Sequence, residues 1–426
     1  MDEKQFPSSF VVRGLLLGAL ALLAACGVSG GFGQSERVAD SGDVLLSFVY
    51  VGCNRVGWSE EVDPATGAKV PLPPSTANKP QLLQTFRDVA NELDPAPAYL
   101  FLCGDIVRNE QARGGTLEQQ LADWQVLWRG GALAEDGSTV LVPFPGNHEV
   151  LKSVEYAPDT YYEVPNRAAY ATWLSWLNTH GHFPTTGNGP AAGGADLLVD
   201  DNGKLSYSFR ASMSGGRQAH FVVLNTDSHS SFACDDPACY QPPQRDVPFG
   251  GKTVQGTMHQ AVPGWIALDW ATKDVAAAVA DPAVDAVFVL GHKPLLNRGQ
   301  SPGVLSTGRD TVFNGGDHKL ANGLFEALQR AQVAGKFGGY LCAHQHLWDA
   351  FPMQGEQGPA LWQVIAGNGG TELDKGDEFG FTYVQIHQSG KITATAYGRK
   401  VPASYYYAPT DAVARPGQRI VLREPK

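Results

Sequence analysis

The sequence lacks any dense run of lysine and arginine: 32 basic residues stand against 43 acidic ones, and the net charge is −11 with the histidines neutral. Such a chain repels a nucleic-acid backbone, which argues against duplex DNA or RNA as a ligand. It also lacks an apolar run long enough to span a bilayer, because residues 14–25 fall short of the roughly 20 that a crossing helix needs. No internal repeat is visible, which removes solenoid and propeller arrays from consideration. Charged residues make up only 18% of the chain against 43% hydrophobic, with 49 Gly and 28 Pro, so it reads as globular and rich in loops.

The short apolar run has a meaning of its own. Lys4 and Arg13 precede it, as in the charged region of a signal peptide, and it ends in Leu23-Ala24-Ala25-Cys26. This ending resembles a bacterial lipobox, which implies that residues 1–26 are a lipoprotein signal and that Cys26 carries lipid as the mature N-terminus. The alternative is ordinary signal cleavage beside an incidental cysteine. Gly27, rather than an aspartate, follows the cysteine, so the resemblance favours anchoring in the outer membrane. Residues 27–43, rich in Gly and Ser, are expected to be a flexible tether. In an exported chain, Cys234 and Cys239, which bracket Asp235-Asp236-Pro237-Ala238, are expected to close a small disulfide ring.

The rest is organised around strands that stop on polar turns. Residues 99–103 run into Gly104-Asp105, residues 140–145 into Gly146-Asn147-His148-Glu149, residues 285–290 into Gly291-His292-Lys293-Pro294, and residues 337–342 into Ala343-His344-Gln345-His346. A strand buried on both faces cannot hold a carboxylate or imidazole at mid-length without a partner, so these groups collect at its carboxyl end. Carboxylate, amide oxygen and imidazole together suit a borderline ion such as Zn, Mn or Fe.

These four blocks, in this order, resemble those of the calcineurin-like metallophosphoesterases, a group that includes the purple acid phosphatases. The family blocks run D-x-H, G-D, G-N-H-D/E, G-H and G-H-x-H, and all but the first are recognisable across residues 44–397. The resemblance implies an α/β fold, a four-layer αββα sandwich of two mixed β-sheets flanked by helices. It also implies that Asp105, Asn147, His292 and His344 hold one metal ion, that Asp105 and His346 serve a second, and that His148 faces the phosphate. The implied activity is hydrolysis of a phosphomonoester or phosphodiester, with Glu149 fixing its loop.

The first block departs from the family. After the apolar residues 44–51 the chain reads Cys53-Asn54-Arg55, with cysteine in the Asp place and arginine in the His place. Either the Cys53 thiolate or the Asn54 oxygen completes an unusual site for a second ion, or Arg55 occupies that place as a fixed cation toward phosphate. The second reading, with one ion, is the expectation, because a permanent cation beside a dication is costly. The damaged block also raises a non-enzymatic alternative, a lipid-anchored binding module that keeps the fold.

Along the chain, residues 81–93 and 117–133 have helical apolar spacing, and their alternation with strands implies a largely parallel first sheet. Residues 205–210 and 220–227 are expected to open a second sheet, a helix follows over 263–280, and strands at 360–366, 380–387 and 392–397 are expected to complete that second sheet. The aromatic residues between Tyr156 and Trp176 and the Gly-rich 185–203 are expected to overhang the site, favouring a small or flexible phosphoester. Cys103 and Cys342 read as small buried hydrophobes. Asp227, His229, Lys293 and Asn368 are expected at the rim in solvated or capping roles. One domain is expected over 44–400, with 401–426 an irregular covering tail.

Overall fold

The computed structural model describes residues 43–55, 61–62, 69–70, 79–109, 116–131, 133, 137–157, 160–165, 167–180, 188–190, 205–226, 247–249, 252–254, 267–299, 312, 318–355, 358–401 and 412–426. Cys26, Cys234, Cys239, Asp227 and His229 lie outside them. Twelve strands in two sheets form the frame: β1 Val44–Val51, β2 Tyr99–Cys103, β3 Val140–Phe144, β4 Tyr207–Ser212, β5 Gln218–Leu224, β6 Val284–Gly291, β7 Phe337–Cys342, β8 Trp348–Met353, β9 Leu361–Ala366, β10 Glu378–His387, β11 Ile392–Lys400 and β12 Arg415–Arg423. The first sheet runs β12-β11-β10-β1-β2-β3 and the second β8-β9-β7-β6-β5-β4. Within them β1, β2 and β3 are parallel, as are β5, β6, β7 and β9, so within each sheet the strands that carry the motifs point the same way.

Alternation along buried strands divides the core. Phe48 and Tyr50, Phe101, Phe221 and Val223, and Phe288 and Leu290 meet in one apolar cluster drawn from both sheets. Their neighbours Val49, Val51, Leu100, Leu102, Val222, Val287 and Val289 belong to the cluster shared with the helices. Phe48 stands edge-on to Phe101, Phe221 and Phe288 at 5.1–5.4 Å between ring centres.

The helices are α1 Lys79–Glu92, α2 Leu117–Arg129, α3 Arg167–His180, α4 Leu268–Ala280 and α5 His318–Val333. Thr116 and Gln119 form a reciprocal capping box that starts α2, and Gly130 follows its end. Arg399 of β11 fastens α1 to the sheet, meeting Asp88 at 3.3 Å and Gln81 and Thr85 at 2.9 Å, all buried.

Three expectations need correction. β10 and β11 return to the first sheet as antiparallel neighbours of β1 and of each other, so that sheet is only half parallel. The C-terminal tail is not merely an irregular cover, because Arg415–Arg423 pairs with β11 as an edge strand. Tyr170, Trp173 and Trp176 are buried with Phe86, Trp124 and Trp128 in the helix-side core, and Trp176 meets Trp124 at 5.8 Å. Their rings are core rather than an exposed overhang.

One ionic cluster ties the tail to both sheets. Asp285, near the start of β6, meets Arg217 and Lys426 at 2.5 Å each and Arg423 at 3.2 Å. Burial works to raise its carboxyl, but hydrogen bonds from Lys426 and Arg217 and the charge of Arg423 outweigh it and hold it at about 2. A carboxylate depressed on folding adds stability that is present above its unfolded pKa of roughly 4 and is lost as pH falls toward the folded value. Solvent screening at this partly exposed site reduces the nominal ~2 kcal/mol to about 1. Asp285→Asn is therefore expected to lower the urea midpoint at pH 7, with the gap to wild type narrowing between pH 4 and pH 2 in titrated unfolding curves.

Candidate metal centre

The motif-bearing turns are held in an uncommon backbone conformation. Cys53, Asp105 and His344 have φ of 55°, 54° and 63°, and among the described residues Asn109 is the one other non-glycine in this region. Such residues cost on the order of 1 kcal/mol or more each and persist where the surroundings fix them, often at functional sites. Gly104, at φ 74°, is required by space as well, since a Cβ there would lie 2.5 Å from the Gly146 backbone and 2.6 Å from His292 Nδ1.

Glu149 fastens the same turns. Its buried carboxylate accepts the N–H groups of Asp105 at 2.9 Å, Val107 at 3.0 Å and Gly146 at 2.8 Å. Burial, together with the Asp105 charge, pushes this carboxyl up to about 7. Gln120 of α2 adds a second brace by accepting the N–H groups of Arg108 and Asn109.

Asp105, Asn147, His292 and His344 come together. The His292 Nδ1–H donates to the Cys103 carbonyl at 2.6 Å, which in the neutral ring turns the Nε2 lone pair toward the site. Around Nε2 lie His344 Nδ1 at 3.0 Å, Asn147 Oδ1 at 3.2 Å and Asp105 Oδ1 at 3.4 Å. Burial works to raise the Asp105 carboxyl, but the positive charge around it, the permanent Arg55 guanidinium included, outweighs it and holds it well below the usual range. Converging lone pairs of one carboxylate, one amide and two imidazoles fit a Zn, Mn or Fe ion.

The other half of the site is filled by Arg55. Its Nε donates to Asp105 Oδ2 at 3.0 Å and its Nη2 to His346 Nε2 at 3.3 Å. Cys53 lies with Asp105 and His346 inside a 4.8 Å cluster, but burial and the Asp105 charge push its thiol well up, which keeps it protonated. Asn54 is buried, and neither atom of its side-chain amide has a hydrogen-bond partner among the described residues. Cys53, Cys103 and Cys342 are free and buried.

His148 sits beside both halves. Its backbone N–H donates to Asp105 Oδ1 at 3.3 Å and its Nδ1–H to the Arg108 carbonyl at 2.9 Å. Burial and the Arg55 charge pull the imidazole down to about 3, so it is neutral. Lys293 and Asn368 are buried rather than solvated, and the Asn368 amide donates to the Glu378 carbonyl at 3.2 Å, in keeping with the capping role, the other expectation. Sequence reasoning also missed Asp374, which accepts the His346 N–H at 2.8 Å, and Thr371, whose hydroxyl donates to the Arg55 carbonyl. Both follow β9, whose end in Gly367-Asn368-Gly369-Gly370-Thr371 repeats the pattern of the other motif strands.

No protein family matches the sequence, and no curated protein matches it. Its structural neighbours include a dimetal phosphatase from Danio rerio, 12% identical with a TM-score of 0.48, covering 89% of this chain and 99% of that one. They also include a structure of PhoD, 11% identical with a TM-score of 0.49, covering 90% of this chain and 70% of that one. At these values neither identifies a function for this chain.

Proposed function

We propose that this chain hydrolyses phosphoesters at a metal centre held by Asp105, Asn147, His292 and His344. The observation that carries the reading is the convergence of their lone pairs at the carboxyl ends of parallel strands, with His148 alongside. A bound ion of this kind lowers the pKa of water and polarises a phosphoryl oxygen. Arg55 adds a permanent charge beside the bound phosphoryl group. His148, with its Nδ1–H committed to a carbonyl, presents Nε2 toward the leaving oxygen. Burial and the Arg55 charge keep the free imidazole neutral; a phosphoryl anion offsets that charge, so with substrate bound Nε2 takes up a proton from solvent and passes it to the leaving oxygen.

The non-enzymatic reading draws on the Arg55–Asp105 pair, which a binding module could keep for stability alone. The two separate in a panel of chromogenic phosphomonoesters and phosphodiesters, assayed after chelation and after adding Zn, Mn or Fe. Turnover that appears with metal and vanishes with chelator is expected; absence of turnover with every ion favours the binding module.

We also propose that the protein is a lipoprotein of a bacterial outer membrane, attached through lipid on Cys26 and acting on small or flexible esters. Among the described residues no helix is long and apolar enough to cross a membrane. The support is the charged segment, the short apolar run and Leu23-Ala24-Ala25-Cys26. Cys26→Ser is expected to abolish labelling by a radioactive fatty acid and release the protein from membranes; unchanged labelling would contradict the anchor. For the substrate, the acidic balance argues against duplexes, and tight duplex DNA binding at physiological salt would count against this.

A further inference from the structure

Resting on the metal-centre reading, we infer that the site takes a single ion, and that Arg55 stands where a second would lie, as the fixed partner of Asp105 Oδ2 and His346 Nε2. The two halves of the site differ in kind. On the Asn147 side, Asp105 Oδ1, Asn147 Oδ1 and His344 Nδ1 lie 3.0–3.4 Å from His292 Nε2, and no guanidinium stands among them. On the His346 side Asp105 Oδ2 takes Arg55 Nε at 3.0 Å, and His346 Nε2 takes Nη2 at 3.3 Å. A cation there would have to displace the guanidinium from both.

Arg55 is also unable to withdraw. Its side chain is 5% exposed, its N–H donates to the Asp105 carbonyl at 3.2 Å, and its own carbonyl is held by the Thr371 hydroxyl. A guanidinium remains charged at every pH a folded protein meets, so it does not yield its place by losing a proton. Cys53, the third potential ligand on this side, is fully buried in the same cluster, so an ion reaching it would share that space with the guanidinium. The ligand geometry of a second ion would bring it within about 2 Å of Asp105 and His346, into the space and charge of the guanidinium. In this arrangement Arg55 supplies the positive charge that balances the second oxygen of Asp105, and His346 is a positioning residue for Arg55 rather than a ligand.

Counting ions tests this without any substrate. The full chain is stripped with chelator, reconstituted with excess Zn or Mn, desalted and measured by plasma mass spectrometry. One ion per chain is expected in wild type and in His346→Ala, and nearly none in His344→Ala. Cys53→Asp combined with Arg55→His, which rebuilds the missing D-x-H block, is expected to raise the count to two. Two ions in wild type, or loss of the ion in His346→Ala, would overturn the inference. Should the double substitution fail to fold, the contrast between His344→Ala and His346→Ala still decides. An inactive protein that binds one ion would overturn the functional reading and leave this one standing.

Discussion

Asp105→Ala is expected to remove ion binding, hydrolysis and several kcal/mol of stability at once. Its carboxylate serves three groups: Oδ1 faces His292 and accepts the His148 N–H, while Oδ2 pairs with Arg55. Deleting it leaves a buried guanidinium without its counter-charge, and breaking a buried pair in this way costs about 3–5 kcal/mol. Asp105→Asn keeps the shape and one oxygen, so it should fold better than the alanine variant while still losing the ion. Urea unfolding read beside ion content separates the two effects. If Asp105→Ala keeps its ion and its midpoint, the centre has been misassigned.

His148→Ala is expected to behave in the opposite way, leaving stability and ion content near wild type while lowering kcat about 10²–10⁴-fold, the usual contribution of a proton donor or charge stabiliser. The side chain is not among the converging ligands, and the backbone N–H that meets Asp105 survives the substitution. The loss should depend on the leaving group. A nitrophenolate departs without help, so an alkyl phosphate should suffer more than a nitrophenyl ester. Equal losses on both substrates would assign His148 to orienting the loop rather than to proton transfer.

Strand ends were the most legible part of the sequence. An apolar run that stops on Gly-Asp or Gly-Asn-His leaves its polar groups one place to go, and Asp105, Asn147, His292 and His344 do meet there. Sheet membership was less legible. Residues of β10 and β11 alternate as β4 and β5 do, and the pattern states that a strand has two buried faces without stating which sheet it joins. The choice is made by long-range pairing, in which β10 lies beside β1. Aromatic density after His148 was ambiguous for a related reason: Trp173 and Trp176 suit a pocket wall or a core, and packing against Trp124 settles it. The partner of Arg55 was hidden too, since His346 is nearly three hundred positions away and only the fold brings them together.

The most direct test of the account is anomalous diffraction from crystals of the full chain soaked with Zn or Mn and collected at the absorption edge of the ion. The account predicts a peak about 2.0–2.3 Å from Asp105 Oδ1, Asn147 Oδ1 and the facing nitrogens of His292 and His344. An absent peak there, or one bonded to Cys53 and His346 instead, would contradict it.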